Sequence, residues 1–404
     1  MARIALVGEG PFPGSGSTET RFAALRFDWF RTALADHQVV LFDSRAPVDR
    51  AAWTRAQRCH AIVSAGVYGP TRTALQLVDD QPLWIDLPGD PFADAQAVGA
   101  LTDPEAVARE AAAVFLPALA RADAFSTISS RSRYSLLGQL GALGRLARTR
   151  PGEEWAYIVP IPWSFGTLPE GPRRAAGTTR RVLLAGSFNT WFDADTAFEA
   201  LLLAMDAGPV EAHITGGPVA GHHVADYTRF EAAARASRHA ARFHFHGWLE
   251  ESALADVVAA CDVLLCLDRP GFEPELGSRT RVLFALHQGL TVVATPRSEL
   301  VHDLAGAGFV RPVPLSDPTA TAAALLGAQS TPDRGPLRAR YGLDTVIAPL
   351  RAWAASPTRR RPAPEAGALL DLVHERDALI REIDRIRSTP TWRLLNRLTQ
   401  VRRR

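Results

Sequence analysis

Short runs of consecutive apolar residues alternate along most of the chain with stretches in which apolar positions recur every three or four residues. The runs at 4–7, 39–42, 61–64, 83–86 and 125–128 have the length and β-branched content of buried strands, and 18–35 and 106–120 between them have helical periodicity. After a Pro- and Gly-rich passage beginning at Pro160 the rhythm restarts, with strand-like runs at 181–185, 210–214, 242–245, 263–267 and 291–294. Strands alternating with helices build parallel sheets, because each parallel connection needs a crossover. The pattern therefore predicts an α/β protein of two Rossmann-like domains, residues 1–165 and 180–355, facing each other across a cleft. A second passage rich in Pro, Arg and Ala precedes a helical basic tail, residues 368–404.

Composition narrows the chemistry. The 404 residues exceed what one ordinary core supports, which agrees with two domains. No run of 18 apolar residues occurs and the first residues enter a strand pattern directly, so a cytoplasmic protein is expected. Cys59, Cys261 and Cys266 form no disulfide framework or CxxC motif and read as buried thiols. All 45 basic residues are arginine. The missing lysine excludes a Walker-A loop, a Schiff-base cofactor and a kinase-type site, so arginine, backbone or helix ends must hold any phosphate. Seven arginines and no acid fall within 385–404, which leaves a mildly acidic body and argues against nucleic acid as its partner.

Ligands of open α/β sheets bind beyond the carboxyl ends of the strands, so the chemistry is expected in the loops there. The first loop, Gly8-Glu9-Gly10-Pro11-Phe12-Pro13, starts like a dinucleotide fingerprint, but Pro13 replaces the third glycine and two prolines remove N–H donors. Its continuation, Gly14-Ser15-Gly16-Ser17, is a loop long enough to be functional. Asp193-Ala194-Asp195 mimics a metal-binding DxD motif, although a helix N-cap with an acidic first turn explains it fully. His244 and His246 share a strand face and His222-His223 are candidates to join them, with local hydrogen bonding the favoured reading over a metal. Trp191 and Trp248 each follow a strand at the binding edge, and core packing is the alternative for both. Arg279-Thr280-Arg281 opens a helix directly after a loop holding Glu273 and Glu275. Helix N-termini favour negative charge, so this segment suits an anion.

These segments carry a resemblance. "VLLAGSFNTWFDADT", "FHFHGWLEESALADVVAACDVLLCLD" and "ELGSRTRVLFALHQGLTVVAT" are similar to the donor domain of GT-B fold family-4 glycosyltransferases. In the first half, "GSGSTETRFAALRFDWFRTAL", "WIDLPGDPFADAQ" and "FSTISSRSRYSLLGQLGALGR" resemble a bacterial subgroup acting on surface polysaccharides. Two departures stand out. Phe284 occupies the position where the family places the second of two glutamates, and the family's Arg and Lys after the first donor-domain strand are missing.

The resemblance implies a metal-independent retaining glycosyltransferase with no cofactor. It would move a sugar from a nucleotide-activated donor to a glycan or lipid-linked acceptor. Arg279, Arg281 and the amides at Thr280 are assigned to the leaving diphosphate, with Gly14, Ser15, Gly16 and Ser17 closing on the phosphates. Gly186, Ser187, Trp191, Gly247 and Trp248 line the nucleotide, Glu273 and Glu275 face the donor sugar, and Asp86 and Asp90 serve the acceptor. The tail suits a coiled-coil partner over 369–386 and, beyond Ser388, an anionic membrane surface, which would place the protein at the inner face of the plasma membrane, with solvated disorder as the alternative. Two alternatives stay open, a catalytically silent binding or scaffold protein and a nucleotide-sugar epimerase.

Overall fold

Among the described residues, aliphatic and β-branched runs too short for helices form twelve strands, all of them in parallel ladders. The computed structural model describes the chain except residues 11–21, 148, 167, 173–177, 219–223, 328–331, 361–363 and 393–404. The first sheet contains β1 (Arg3–Gly8), β2 (Gln38–Asp43), β3 (Ala61–Ser64), β4 (Leu83–Leu87), β5 (Ala124–Thr127) and β6 (Ala156–Ile158) in the order β2-β1-β3-β4-β5-β6. The second contains β7 (Arg180–Leu184), β8 (Val210–Thr215), β9 (Phe243–Gly247), β10 (Val263–Cys266), β11 (Thr291–Ala294) and β12 (Arg311–Pro312) in the order β12-β11-β10-β7-β8-β9.

Ten of these strands coincide within a residue or two with the runs read from sequence. The others, β6 and β12, have three and two residues, too few for a hydrophobic period to register. Helices begin where side chains can accept the free N–H groups. Asp49, Asp90, Asp103, Ser129, Asp193, Ser298 and Asp317 all cap in this way.

The sheets are joined by more than the passage after Val159. One apolar cluster runs from Ile4, Leu6 and Trp84 through Phe165 to Leu264 and Leu286. Trp84 lies between Tyr157, with ring centroids 5.0 Å apart, and Trp353, 5.3 Å away. Trp353 belongs to helix Leu343–Ala355, so the end of the second domain returns to pack on the first. Arg359 Nη1 and the Arg360 N–H then fasten on the Asp123 carboxylate at 3.1 and 2.7 Å, and helix Pro364–Ser388 runs against helix Pro104–Arg121.

Candidate functional site

In the second sheet the strand order reverses between β7 and β10, which are neighbours. Helices that follow two such strands depart to opposite faces and leave a crevice at the strand ends. Gly186 and Ser187 follow β7 there, Asp268 follows β10, and helix Thr280–His287 packs over β10 and β11. Gly186 has φ +86° and Gly216, after β8, has φ +82°. A Cβ on Gly216 would run into the Gly186 backbone, so both the turn and the close approach require glycine. The Gly216 N–H donates to the Gly247 carbonyl at 2.6 Å. Three strand ends are thereby stitched into a backbone ledge on which Gly186 is half-buried and Gly216 is buried.

Arg279 and Arg281, two residues apart, differ sharply. Arg279 is buried, with Nε donating to Asp268 Oδ1 at 2.7 Å and Nη2 to Glu273 Oε2 at 2.8 Å. Burial opposes its charge, but the Asp268 and Glu273 carboxylates outweigh burial and raise its pKa further. Burial pushes Asp268 up to about 6 in spite of Arg279, so both ions persist at neutral pH. One guanidinium thus faces two carboxylates, and Asp268 Oδ2 has no hydrogen-bond partner among the described residues. Arg279 is therefore committed to two internal anions, contrary to the expectation that it meets a diphosphate directly. Arg281 is half-buried, makes no ion pair with a described residue, and donates from Nη2 to the Ser187 carbonyl at 3.2 Å. Its guanidinium lies 3.7 Å from where a Cβ on Gly186 would stand. Thr280, half-buried between the two arginines, is the first residue of the eight-residue helix.

The other expected residues divide in the same way. Both Glu273 and Glu275 lie in the short helix Phe272–Leu276 and both have arginine partners, Arg279 for Glu273 and Arg297 for Glu275. Trp191 lies beneath Arg279, whose Cζ is 5.8 Å from the ring centroid, and Trp248 is 54 % exposed at the end of β9. Asp86 is wholly buried, receives Arg26 Nε and Nη2 at 3.0 and 2.7 Å, and accepts Ser126 Oγ at 2.5 Å. Asp90 caps its own helix and accepts from Ser135 Oγ and Gln139 Nε2. Neither carboxylate is open to an acceptor in this arrangement. Asp193 caps helix Ala194–Ala207 while Asp195 pairs with Arg229 on the surface, so the capping reading of the DxD segment accounts for both. Phe284 meets Phe165 edge to face at 5.4 Å and packs against the apolar cluster. Gly14, Ser15, Gly16, Ser17 and His222-His223 lie outside the described residues.

A residue that the sequence reading passed over faces this cluster from the first domain. Helix Pro91–Gly99 packs against helix Phe272–Leu276, and burial, aided by the Glu273 charge, pushes the Asp94 carboxyl up to about 7. Asp94 sits one turn beyond Asp90. An N-cap carboxylate is turned onto its own helix, so the acid at i+4 was the one free to face outward, and that spacing was legible. Nearby, Glu299 closes the two domains together by accepting the Ser130 and Arg131 N–H groups at 3.1 and 3.0 Å and Ser130 Oγ at 2.5 Å.

No protein-family model matches the sequence, and no curated protein matches it. Solved structures do. AviGT4, a glycosyltransferase involved in avilamycin A biosynthesis, superposes with a TM-score of 0.53 at 14 % identity, covering 89 % of this chain and 100 % of that one. Sucrose-phosphate synthase from Thermosynechococcus elongatus gives 0.54 at 16 % identity, covering 94 % and 100 %. The trehalose-6-phosphate synthase OtsA gives 0.55 at 11 % identity, covering 89 % and 100 %. The fold is that of GT-B glycosyltransferases. At these identities the likeness establishes architecture, and the chemistry must come from this chain's own residues.

Proposed function

We propose that the protein is a retaining glycosyltransferase that moves a sugar from a nucleotide-activated donor to a glycan or lipid-linked acceptor. The observation that carries this reading is Arg281. A guanidinium without a carboxylate partner among the described residues stands at a helix N-terminus, beside a glycine ledge, at the switch point of a Rossmann-ordered sheet. A leaving diphosphate gains charge as the sugar bond breaks. Fixed donors aimed at that charge lower the barrier, and Arg281 with the first amides of helix Thr280–His287 supplies them. In this scheme Arg279 holds Asp268 and Glu273 in place rather than touching the phosphates, and Asp94 borders the acceptor side. No metal or cofactor is assigned a role in the transfer.

One observation favours a catalytically silent binding protein instead. Both glutamates expected at the donor sugar are engaged by arginines. Incubation with a panel of nucleotide sugars and a mixed glycan acceptor pool separates the readings. The transferase releases nucleoside diphosphate with at least one donor, and the silent protein binds without release.

The same proposal places the enzyme at an anionic membrane surface, beside a lipid-linked acceptor in surface-polysaccharide assembly. Among the described residues no helix is long and apolar enough to cross a membrane. Leu372, Leu379, Ile383 and Ile386 nevertheless leave an exposed apolar stripe at near-heptad spacing on helix Pro364–Ser388, suited to a partner helix. The arginines beyond it would each contribute about 1 kcal/mol at an anionic surface. Deleting residues 388–404 should abolish sedimentation with anionic liposomes at low salt.

A further inference from the structure

Away from the cleft crevice, the outer strands of the second sheet gather a group of side chains that the glycosyltransferase reading does not use. In the parallel pairing of β8 with the edge strand β9, His213 lies opposite His244. Side chains two apart share a face, so Glu211 joins His213 on β8 and His246 joins His244 on β9. Ligand atoms of Glu211, His213 and His244 all lie within 4.8 Å of one another. The His213 and His246 rings stack nearly parallel, at 7° and 5.4 Å between centroids, with His213 Nδ1 3.1 Å from His246 Nε2. His213 Nε2 is buried, has no hydrogen-bond partner among the described residues, and lies 3.9 Å from Glu211 Oε2.

We propose that Glu211, His213 and His244, with His246 adjoining, form a binding site for a divalent transition ion of the zinc class. Two imidazoles and one carboxylate are the nitrogen and oxygen donors such ions take, and zinc with three protein ligands completes a four-coordinate shell with water. The orphaned His213 Nε2 would gain in the ion the partner it lacks. Glu211 Oε2 also receives Arg181 Nε at 3.2 Å, which leaves Oε1 for an ion. The strands bring together residues 33 apart in sequence, which is why the histidine alternation on β9 alone was too weak to suggest a metal. The site ties the edge strand to its neighbour directly below Gly247 and Trp248, so occupancy would stiffen one wall of the donor crevice. It stands whether or not the protein transfers sugars.

The full-length chain, stripped with chelator, is titrated with zinc against a chromophoric competitor and with cobalt for its visible bands. The expected result is one equivalent bound per chain with the intense bands of four-coordinate cobalt. His213→Gln and His244→Gln should each weaken binding by at least about tenfold, the low end of what losing even an outer partner of a metal ligand costs. Asp195→Asn, in the DxD segment, should bind as the wild type does. Chelator should lower the melting temperature of the wild type and leave that of His244→Gln unchanged. No saturable binding, binding undiminished in both histidine variants, or cobalt bands of a six-coordinate aquo ion would overturn the proposal. Circular dichroism guards against variants that fail to fold. Should one of the two be unfolded, the other decides.

Discussion

The carboxyl ends of β4 and β10 carry the same device, a buried aspartate bound to a buried arginine, yet the two behave differently. At β4 the charges match one to one. Asp86 accepts two bonds from Arg26 and one from Ser126, and Arg26 spends Nη1 on the Val159 and Pro160 carbonyls at 2.7 and 3.1 Å. Every strong donor and acceptor there has a partner, and the pair locks helix Phe22–Ala33 and the segment after β6 to the sheet. At β10 one arginine faces two carboxylates, Asp268 Oδ2 is unpartnered among the described residues, and Asp94 brings a third acid across from the other domain. A closed pair of this sort is structural. An unbalanced one at a strand-order reversal, with a guanidinium that makes no ion pair with a described residue two positions away, is the feature on which the proposed ligand site rests.

Breaking either pair from one side should have the largest effect, because the remaining partner becomes an uncompensated buried charge. Asp86→Ala and Arg279→Ala should each cost about 3–5 kcal/mol in urea unfolding. Replacing Arg26 and Asp86 together with apolar residues of similar volume should recover most of that loss, since nothing else depends on the pair. If Arg279→Ala melts like the wild type and loses only nucleotide affinity, Arg279 holds the ligand itself and the contrast collapses.

The next effect separates the clusters by pH. Asp94 titrates near about 7 in the fold against an ordinary 3.8, so between those values the folded chain holds a proton that the unfolded chain has lost. Its stabilising contribution is complete below 3.8 and is lost as pH rises through about 7. Asp94→Asn, neutral throughout, should gain stability relative to the wild type across that window. Parallel stability curves would remove Asp94 from the acidic cluster. The smallest effect belongs to Phe284. Its edge-to-face contact with Phe165 and partial burial make Phe284→Ala worth about 1–2 kcal/mol, with nucleoside diphosphate affinity unchanged.

This contrast also explains what the sequence could and could not reveal. Hydrophobic period located ten strands and the two-sheet architecture, because burial on both faces makes such runs continuous. Helix caps were equally local, and Asp193 was legible from its neighbours. The partners of strand-end charges were not, since Arg26 and Asp86 are 60 residues apart and only the winding of the sheet unites them. For the same reason Asp86 looked like an acceptor residue, with the right chemistry at the right end of a strand. Arg279 looked like a phosphate ligand at a helix start, and its partners Asp268 and Glu273, 11 and 6 residues away, follow no helix or strand period that would have paired them with it. Gly216 was overlooked because a lone Gly-Gly turn carries no phosphate pattern, although its close approach to Gly186 builds the ledge.

The central claim, that Arg281 rather than Arg279 meets the anion, is tested most directly by calorimetric titration of nucleoside diphosphates into the wild type and Arg281→Ala. Loss of one charge-assisted hydrogen bond should cost about 1.5–3 kcal/mol of binding, roughly tenfold or more in affinity. The melting temperature should fall less than in Arg279→Ala, because Arg281 makes no ion pair with a described residue and its charge acts on the buried Asp268 only beside the larger effect of Arg279. Equal affinity in the two proteins, measured with a nucleotide that the wild type binds, would contradict the account.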